Sequence, residues 1–292
     1  MNMNRLFTCL CLSLLFNLVQ AQLPIPEYQK GKAILSGTIA NYHPNDNLIF
    51  KIGAPNIVMG TAETLYPTVE SDGSFTINIP LYHHTQVRMM IGNADLVILL
   101  SPEKETNVAI NLSNPPGKQF VFSGQYATIN NEWCQPELIT KIPPVYSDGD
   151  LLDSIVGISA NEFKKRCINQ YKRYVTHNSA QLQFSEDTRT LANLSCAFDC
   201  LENLQATHYC LQTAYQKKEN ITREQAFAAF LDVYLPDDFH NYLKDFPVNH
   251  PLALYCYNYR NVVMDLYDTH KDPLAYEKNL LKNAPLTKEE QT

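Results

Sequence analysis

No Cys-x-x-Cys occurs anywhere in the 292 residues, so the dithiol of thioredoxin-type redox enzymes is missing. There is no G-x-S-x-G, no H-E-x-x-H and no P-loop, which removes the sequence signatures of hydrolase nucleophiles, zinc proteases and nucleotide binding. Beyond residue 21 no apolar run approaches the roughly 20 residues that a bilayer span requires. Positive charge is in the minority: 23 Lys and Arg stand against 30 Asp and Glu, a net charge of -7. A nucleic-acid binder should carry a basic stripe, so this balance speaks against a nucleic-acid partner. Tryptophan occurs once, at Trp133, and 17 Tyr with 13 Phe supply the aromatic volume of any core.

What is present begins with an export signal. Arg5 gives a positive start, Leu6 to Val19 form an apolar stretch, and Val19-Gln20-Ala21 ends on a small residue. Residues 1–21 therefore read as a signal peptide cut between Ala21 and Gln22. The stretch is short for a span and is broken by Asn17. The expectation is a periplasmic or secreted protein with no membrane span after cleavage. Residues 1–21 contain Arg5 and no acid, so their removal takes the charge from -7 to -8. Cys9 and Cys11 leave with them. Cys134, Cys167, Cys196, Cys200, Cys210 and Cys256 remain, an even number in an oxidising compartment. Disulfides and buried free thiols are both open readings.

The remaining chain changes its hydrophobic period. From Lys32 to Phe122 apolar residues alternate, as in Ala33 to Ile39, Leu48 to Ile52, Phe75 to Ile79, Gln86 to Ile91 and Val108 to Leu112. Asp72-Gly73 between two such runs is a hairpin signal. From about Asn130 the spacing becomes helical. Ser159-Ala160-Asn161-Glu162 and Thr222-Arg223-Glu224-Gln225 are capping boxes. Leu191, Leu194, Phe198, Leu201, Leu204, His208, Leu211 and Tyr215 form one stripe of a long helix after Ser185. His250-Pro251 starts another through Tyr255, Tyr259 and Val262, and Pro273 opens one more through Leu274 and Leu280. The expected fold class is α+β: an N-terminal antiparallel β-sandwich over residues 30–128, then an all-α helical domain over residues 129–292.

Few residues suggest chemistry. Cys196, Cys200 and Cys210 fall within an arc of about 80° on the long helix and could present thiolates to zinc. A structural zinc site wants four ligands, and His208, the one histidine nearby, sits on the leucine stripe. Small apolar residues at a close helix contact are the simpler reading. His83-His84 reads as a surface turn, since neighbours on a strand point to opposite faces. Glu103-Lys104-Glu105 reads as a solvated turn, and Asp237-Asp238 as acids favouring a helix start. No catalytic, cofactor-binding or metal-binding residue is assigned, and no cofactor is expected.

The strand Ile34-Leu35-Ser36-Gly37-Thr38-Ile39, the turn Asp72-Gly73-Ser74-Phe75, the strand end Phe122-Ser123-Gly124 and the entry Asn130-Asn131-Glu132-Trp133 belong together. Over roughly residues 30–280 this pattern resembles the N-terminal, non-catalytic region of secreted TlpA/ResA-like thiol-disulfide oxidoreductases. The resemblance implies a small β-sandwich and a helical segment ahead of a thioredoxin domain. That family's activity resides in Trp-Cys-x-x-Cys. Here Trp133-Cys134 is followed by Gln135-Pro136-Glu137, so no catalytic residue carries over. Thr287-Lys288-Glu289-Glu290 reads as a helix start next to Thr292, the pattern expected of a truncated gene or of a stand-alone copy of the non-catalytic part. The functional expectation is an exported, non-catalytic, thioredoxin-associated module that binds a protein partner, a thioredoxin-like domain among the candidates. A glycan- or ligand-binding module, or an enzyme with a site on the helices, is the alternative.

Overall fold

The computed structural model describes residues 23–56, 61–145, 149–230, 235 and 239–271. The expected signal peptide, Asp237-Asp238, the helix expected after Pro273 and the Thr287 capping box lie outside them. The fold is mixed α+β, with two four-stranded sheets and a set of helices.

Alternating burial builds the strands. They are β1 (Gly31–Ile39), β2 (Phe50–Asn56), β3 (Thr61–Leu65), β4 (Ser74–Leu81), β5 (Thr85–Ile91), β6 (Ala94–Leu100), β7 (Glu105–Ile110) and β8 (Phe120–Gly124). One sheet has the order β4-β1-β7-β8 and the other β3-β2-β5-β6. Inward residues of both sheets, among them Leu35, Ile79, Val108, Ile52 and Met89, enter one buried cluster. Phe50 and Phe75 meet edge to face at 4.9 Å within it.

Two expectations are corrected here. The pairing is not antiparallel throughout, because β1 and β7 run parallel, with Leu35 opposite Thr106. A tight turn cannot join parallel neighbours, and residues 40–104 make the long connection. The Asp72-Gly73 turn forms, with Gly73 at φ +82°, but it closes no full hairpin. Before it only Val69 bridges to Phe75, and β4 pairs instead with β1.

The helices are α1 (Ala127–Trp133), α2 (Gly149–Ser154), α3 (Ala160–Ala180), α4 (Glu186–Gln205), α5 (Thr207–Glu219), α6 (Arg223–Phe230) and α7 (Tyr259–Lys271). Ser159 caps α3 by accepting from the Glu162 N–H, and Thr222 and Gln225 cap α6 reciprocally. The long helix after Ser185 is two helices, since the chain bends at Ala206 (φ -82°, ψ 13°). Thr207 there turns its hydroxyl back to the Leu204 carbonyl at 2.6 Å. The helix expected from His250-Pro251 is also broken. A 3-10 turn (Ala253–Tyr255) leads into extended Cys256, and α7 begins at Tyr259.

Three consecutive residues of α1 join the parts. Asn130 donates to the Leu99 carbonyl and accepts from the Leu99 N–H, at 3.1 and 2.7 Å. Asn131 does the same to Phe122, at 2.9 and 2.7 Å. Leu99 lies on β6 and Phe122 on β8, the free edges of the two sheets. Each amide side chain thus stands in for a missing neighbouring strand. Glu132 accepts from the N–H and hydroxyl of Ser185, placing a carboxylate at the start of α4.

Candidate functional site

A cleft of about 410 Å³ opens where strands meet helices, in the size range of small-molecule sites. Its walls come from β5 and β6 (Gln86, Arg88, Asp95), the turn before β8 (Gly117), the start of β8 (Phe120), the end of α1 (Trp133, Cys134), α4 (Phe198, Asp199) and residues 256–258 ahead of α7. Gly117 has φ +83°, and a Cβ there would meet Pro136 at 3.0 Å, so that turn requires glycine.

The break after Tyr255 builds one wall. With no helix at Cys256, the Tyr257 N–H is free to donate to Gln86 Oε1 at 3.1 Å. That bond holds the Gln86 amide by its carbonyl. Its Nε2 has no partner, although Gln86 is 1% exposed. The Trp133 indole N–H is equally buried and unpartnered. A buried donor without an acceptor costs about 1–3 kcal/mol, and two of them border this one cleft.

Asp199 lies opposite. It accepts from the Ile142 N–H at 3.0 Å through one oxygen and from Asn258 Nδ2 at 2.5 Å through the other. Burial nevertheless pushes its carboxyl up to about 7, against the pull of these bonds and of Lys141. One turn on, Glu202 is also pushed up to about 7, by burial and by the Asp199 charge. At the rim, Arg88 grips Asp95 in a two-point ion pair at 2.8 and 2.5 Å, and the guanidinium holds the Asp95 carboxyl below its ordinary range.

All six cysteines among the described residues are free thiols. Cys134 lines the cleft, and burial pushes its thiol up to about 12, far from the thiolate that redox exchange needs. Cys196 is pushed up to about 12 by burial and by Asp199, and Cys200 well above its ordinary value. Cys196, Cys200 and Cys210 are buried, but the bend at Ala206 places Cys210 on α5 rather than on one continuous stripe. Among the described residues no three His, Cys, Asp or Glu side chains converge as metal ligands.

His83-His84 corrects another expectation. The pair is not a surface turn: His83 is 4% exposed and His84 half-buried. Tyr126 covers it, with its hydroxyl 2.5 Å from His84 Nδ1, and Tyr255 packs beside both rings. Burial lowers both imidazoles toward the neutral form. Tyr255 also donates to the Pro24 carbonyl at 2.9 Å, and the Leu23 N–H donates to Asp187 at 3.3 Å. Residues just beyond the expected cleavage point are thereby tied to the helices. Glu103, Lys104 and Glu105 are exposed, as a solvated turn should be.

Trp133 and Cys134 stood out in the sequence, whereas Gln86, Asp199 and Asn258 did not. The available signal was polarity inside an apolar stretch: Asp199 interrupts the buried run Cys196-Ala197-Phe198 and Cys200-Leu201.

No family model matches the chain, and no curated protein matches it. A solved structure from Bacteroides ovatus ATCC 8483, provisionally described as a cell adhesion protein, aligns with 12% identity and a TM-score of 0.20. The alignment covers 33% of this chain and 43% of that one. A likeness of that size carries no argument. No helix among the described residues is long and apolar enough to cross a membrane.

Proposed function

We propose that this chain is an exported, non-catalytic binding module and that the cleft is its binding site. The observation that carries the reading is the cleft of about 410 Å³, whose lining sets Gln86, Asp199 and Asn258 among apolar and aromatic side chains. In this reading the two sheets face each other as a β-sandwich, with the helical region behind them. The strand-and-turn pattern shared with TlpA/ResA-like proteins supports a thioredoxin-like domain as protein partner. The buried thiols support a supporting role in which this chain does no exchange itself. Two measurements test the reading. The full chain should leave insulin disulfides unreduced in the presence of a dithiol donor, and a ligand screen should raise its melting temperature. Catalysed insulin reduction would sink the non-catalytic assignment.

One observation favours a second reading. Asp199 is pushed up and Asp95 held down in the same cleft, the division that acid–base catalysis uses. Both carboxylates are fully engaged with protein donors, which favours binding over proton transfer. Time-dependent loss of a bound ligand, abolished by Asp199→Asn, would establish the second reading in place of the first.

A further inference from the structure

We infer that the buried turn between β4 and β5, built on His83 and His84, is an acid-sensitive latch: charging His83 opens the turn, frees residues 23–29 and unseats the Tyr257 wall of the cleft. The latch is independent of what the cleft binds, because it concerns how the wall is held.

Three observations point to a latch. First, the turn sits between two long-range bonds. On one side the Tyr82 carbonyl accepts from the Gln29 N–H at 2.7 Å, and on the other Gln86 Oε1 accepts from the Tyr257 N–H at 3.1 Å. The Gln29 bond fastens the segment leading into β1 and the Tyr257 bond fastens the cleft wall, so one turn holds both. The rings add a further tie. His84 Nδ1 lies 2.5 Å from the Tyr126 hydroxyl, the His84 and Tyr255 rings are 6.1 Å apart, and Tyr255 donates to the Pro24 carbonyl. Second, His83 is seated as a neutral ring. Its Nδ1 lies 3.0 Å from the His84 carbonyl, which can only accept, so the ring proton is on Nδ1. Nε2 is then a lone pair, buried and without a partner, on a residue 4% exposed. A second proton would put a charged N–H where no acceptor meets it. Third, the surroundings offer a charge no compensation. His84 acts on His83, and Lys104, in the turn before β7, acts on His84; each is positive when charged. Tyr126 at the start of α1 and Tyr255 are raised by burial and stay neutral, and Asp187 of α4 acts on Tyr255 rather than on the imidazoles. Protonation of His83 therefore needs water at Nε2, and water reaches it when the turn opens.

Burial holds His83 below its ordinary 6.5, so the open turn takes up a proton that the closed turn refuses. The latch is fully held above about 6.5 and is lost as pH falls through the lower value of the closed turn. Asp199 and Glu202 have the opposite sign and stabilise the fold toward acid, so a melting temperature would mix the two effects. Amide exchange separates them. Gln29 and Tyr257 report the two bonds, and Leu35, on a strand paired on both sides, is the control. From about pH 7 to about pH 5 the protection factors at Gln29 and Tyr257 should fall together while Leu35 holds. One proton per opening gives about a tenfold fall for each pH unit below about 6.5, until the closed turn itself titrates. His83→Asn keeps a donor for the His84 carbonyl and never charges, so the fall should vanish at both sites. No loss of protection in the unaltered chain would sink the latch, and so would a loss of equal size in His83→Asn. An equal fall at Leu35 would mean general unfolding, and a steady Tyr257 would cut the link to the cleft; either overturns the inference. Should the variant not fold, the ring shifts of His83 in the unaltered chain decide. Titration in step with the loss of protection supports the latch, and titration at about 6.5 with protection intact overturns it.

Discussion

The strand half and the helical half of this chain satisfy their buried backbone by different means. In the strand half, ladders pair the N–H and C=O groups, and residues of both sheets enter one apolar buried cluster. In the helical half, the irregular segment 139–145 has no ladder. Its backbone is met instead by side chains: Asn178 on both sides of Ile139, Asp199 on Ile142, and Asn203 on Val145 and Pro143. All three side chains are buried. One half is therefore specified by the period of its apolar residues, the other by which polar residues it buries. The cleft lies where the second kind of order meets the first.

The sharpest break of this comparison is an apolar one. Phe75 is 3% exposed and meets Phe50 across the interior. Phe75→Ala should cost about 3–5 kcal/mol in urea unfolding, through lost burial and the cavity left behind. A loss below about 1 kcal/mol would mean that the strand half does not depend on this packing.

The second prediction turns on pH. Asp199 titrates near its ordinary 3.8 when unfolded and at about 7 when folded. Between those values the folded state holds more protons than the unfolded one. Stability should therefore fall as pH rises from about 4 to about 7, and level off above. The rise in pKa corresponds to a ceiling on the order of 4 kcal/mol. Asp199→Asn keeps the shape without the charge, and a flip of the Asn258 amide restores an acceptor for the new NH₂ group. Unfolding at about pH 5 and about pH 8 should show a smaller difference in the variant. Glu202, half-buried and also near 7, keeps its own share, so the slope shrinks rather than vanishes. An unchanged slope would remove Asp199 from the account.

The same contrast explains what could be read beforehand. The alternation from Ala33 to Ile39 and from Val108 to Ile110 marks strands because a sheet with one buried face imposes a period of two. The stripe Leu191, Leu194, Phe198 and Leu201 marks a helix for the corresponding reason. Which strands pair was not legible: the parallel β1–β7 contact depends on a connection more than sixty residues long, and no local pattern encodes it. The breaks at Ala206 and Cys256 were hidden because the apolar spacing runs through both. At Cys256 the deciding partners, Gln86 and Asp199, are 170 and 57 residues away in sequence. Trp133 and its neighbours Asn130 to Glu132 were visible as a motif. Their roles as edge-strand surrogates were not, since those depend on which strands end up at the sheet edges.

Asn130→Ala tests the junction between the halves. It strands both the N–H and the C=O of Leu99, itself 1% exposed, at about 1–3 kcal/mol for each group left without a partner. A loss of about 3 kcal/mol is expected in thermal or urea unfolding. Amide exchange at Leu99 should quicken more than at Met89 in the next strand, because Asn130 is the protector of that edge. Equal acceleration at both positions would indicate general destabilisation instead.

The smallest effect should come from the most conspicuous electrostatic contact. Arg88 and Asp95 form a two-point ion pair, yet both side chains are 39% exposed. Water screens such a pair, and holding two side chains in one geometry costs entropy, so exposed pairs contribute about 0–1 kcal/mol. Asp95→Asn should lower stability by less than about 1 kcal/mol, and added salt should erase the difference. Asp199, with no salt bridge, should outweigh it several-fold, because burial sets the scale of a charge's effect more than the length of its bonds does. A salt-resistant loss above about 2 kcal/mol in Asp95→Asn would reverse that order. It would place the specifying polar contacts at the cleft rim on the strand side, and the division between the two halves would no longer hold.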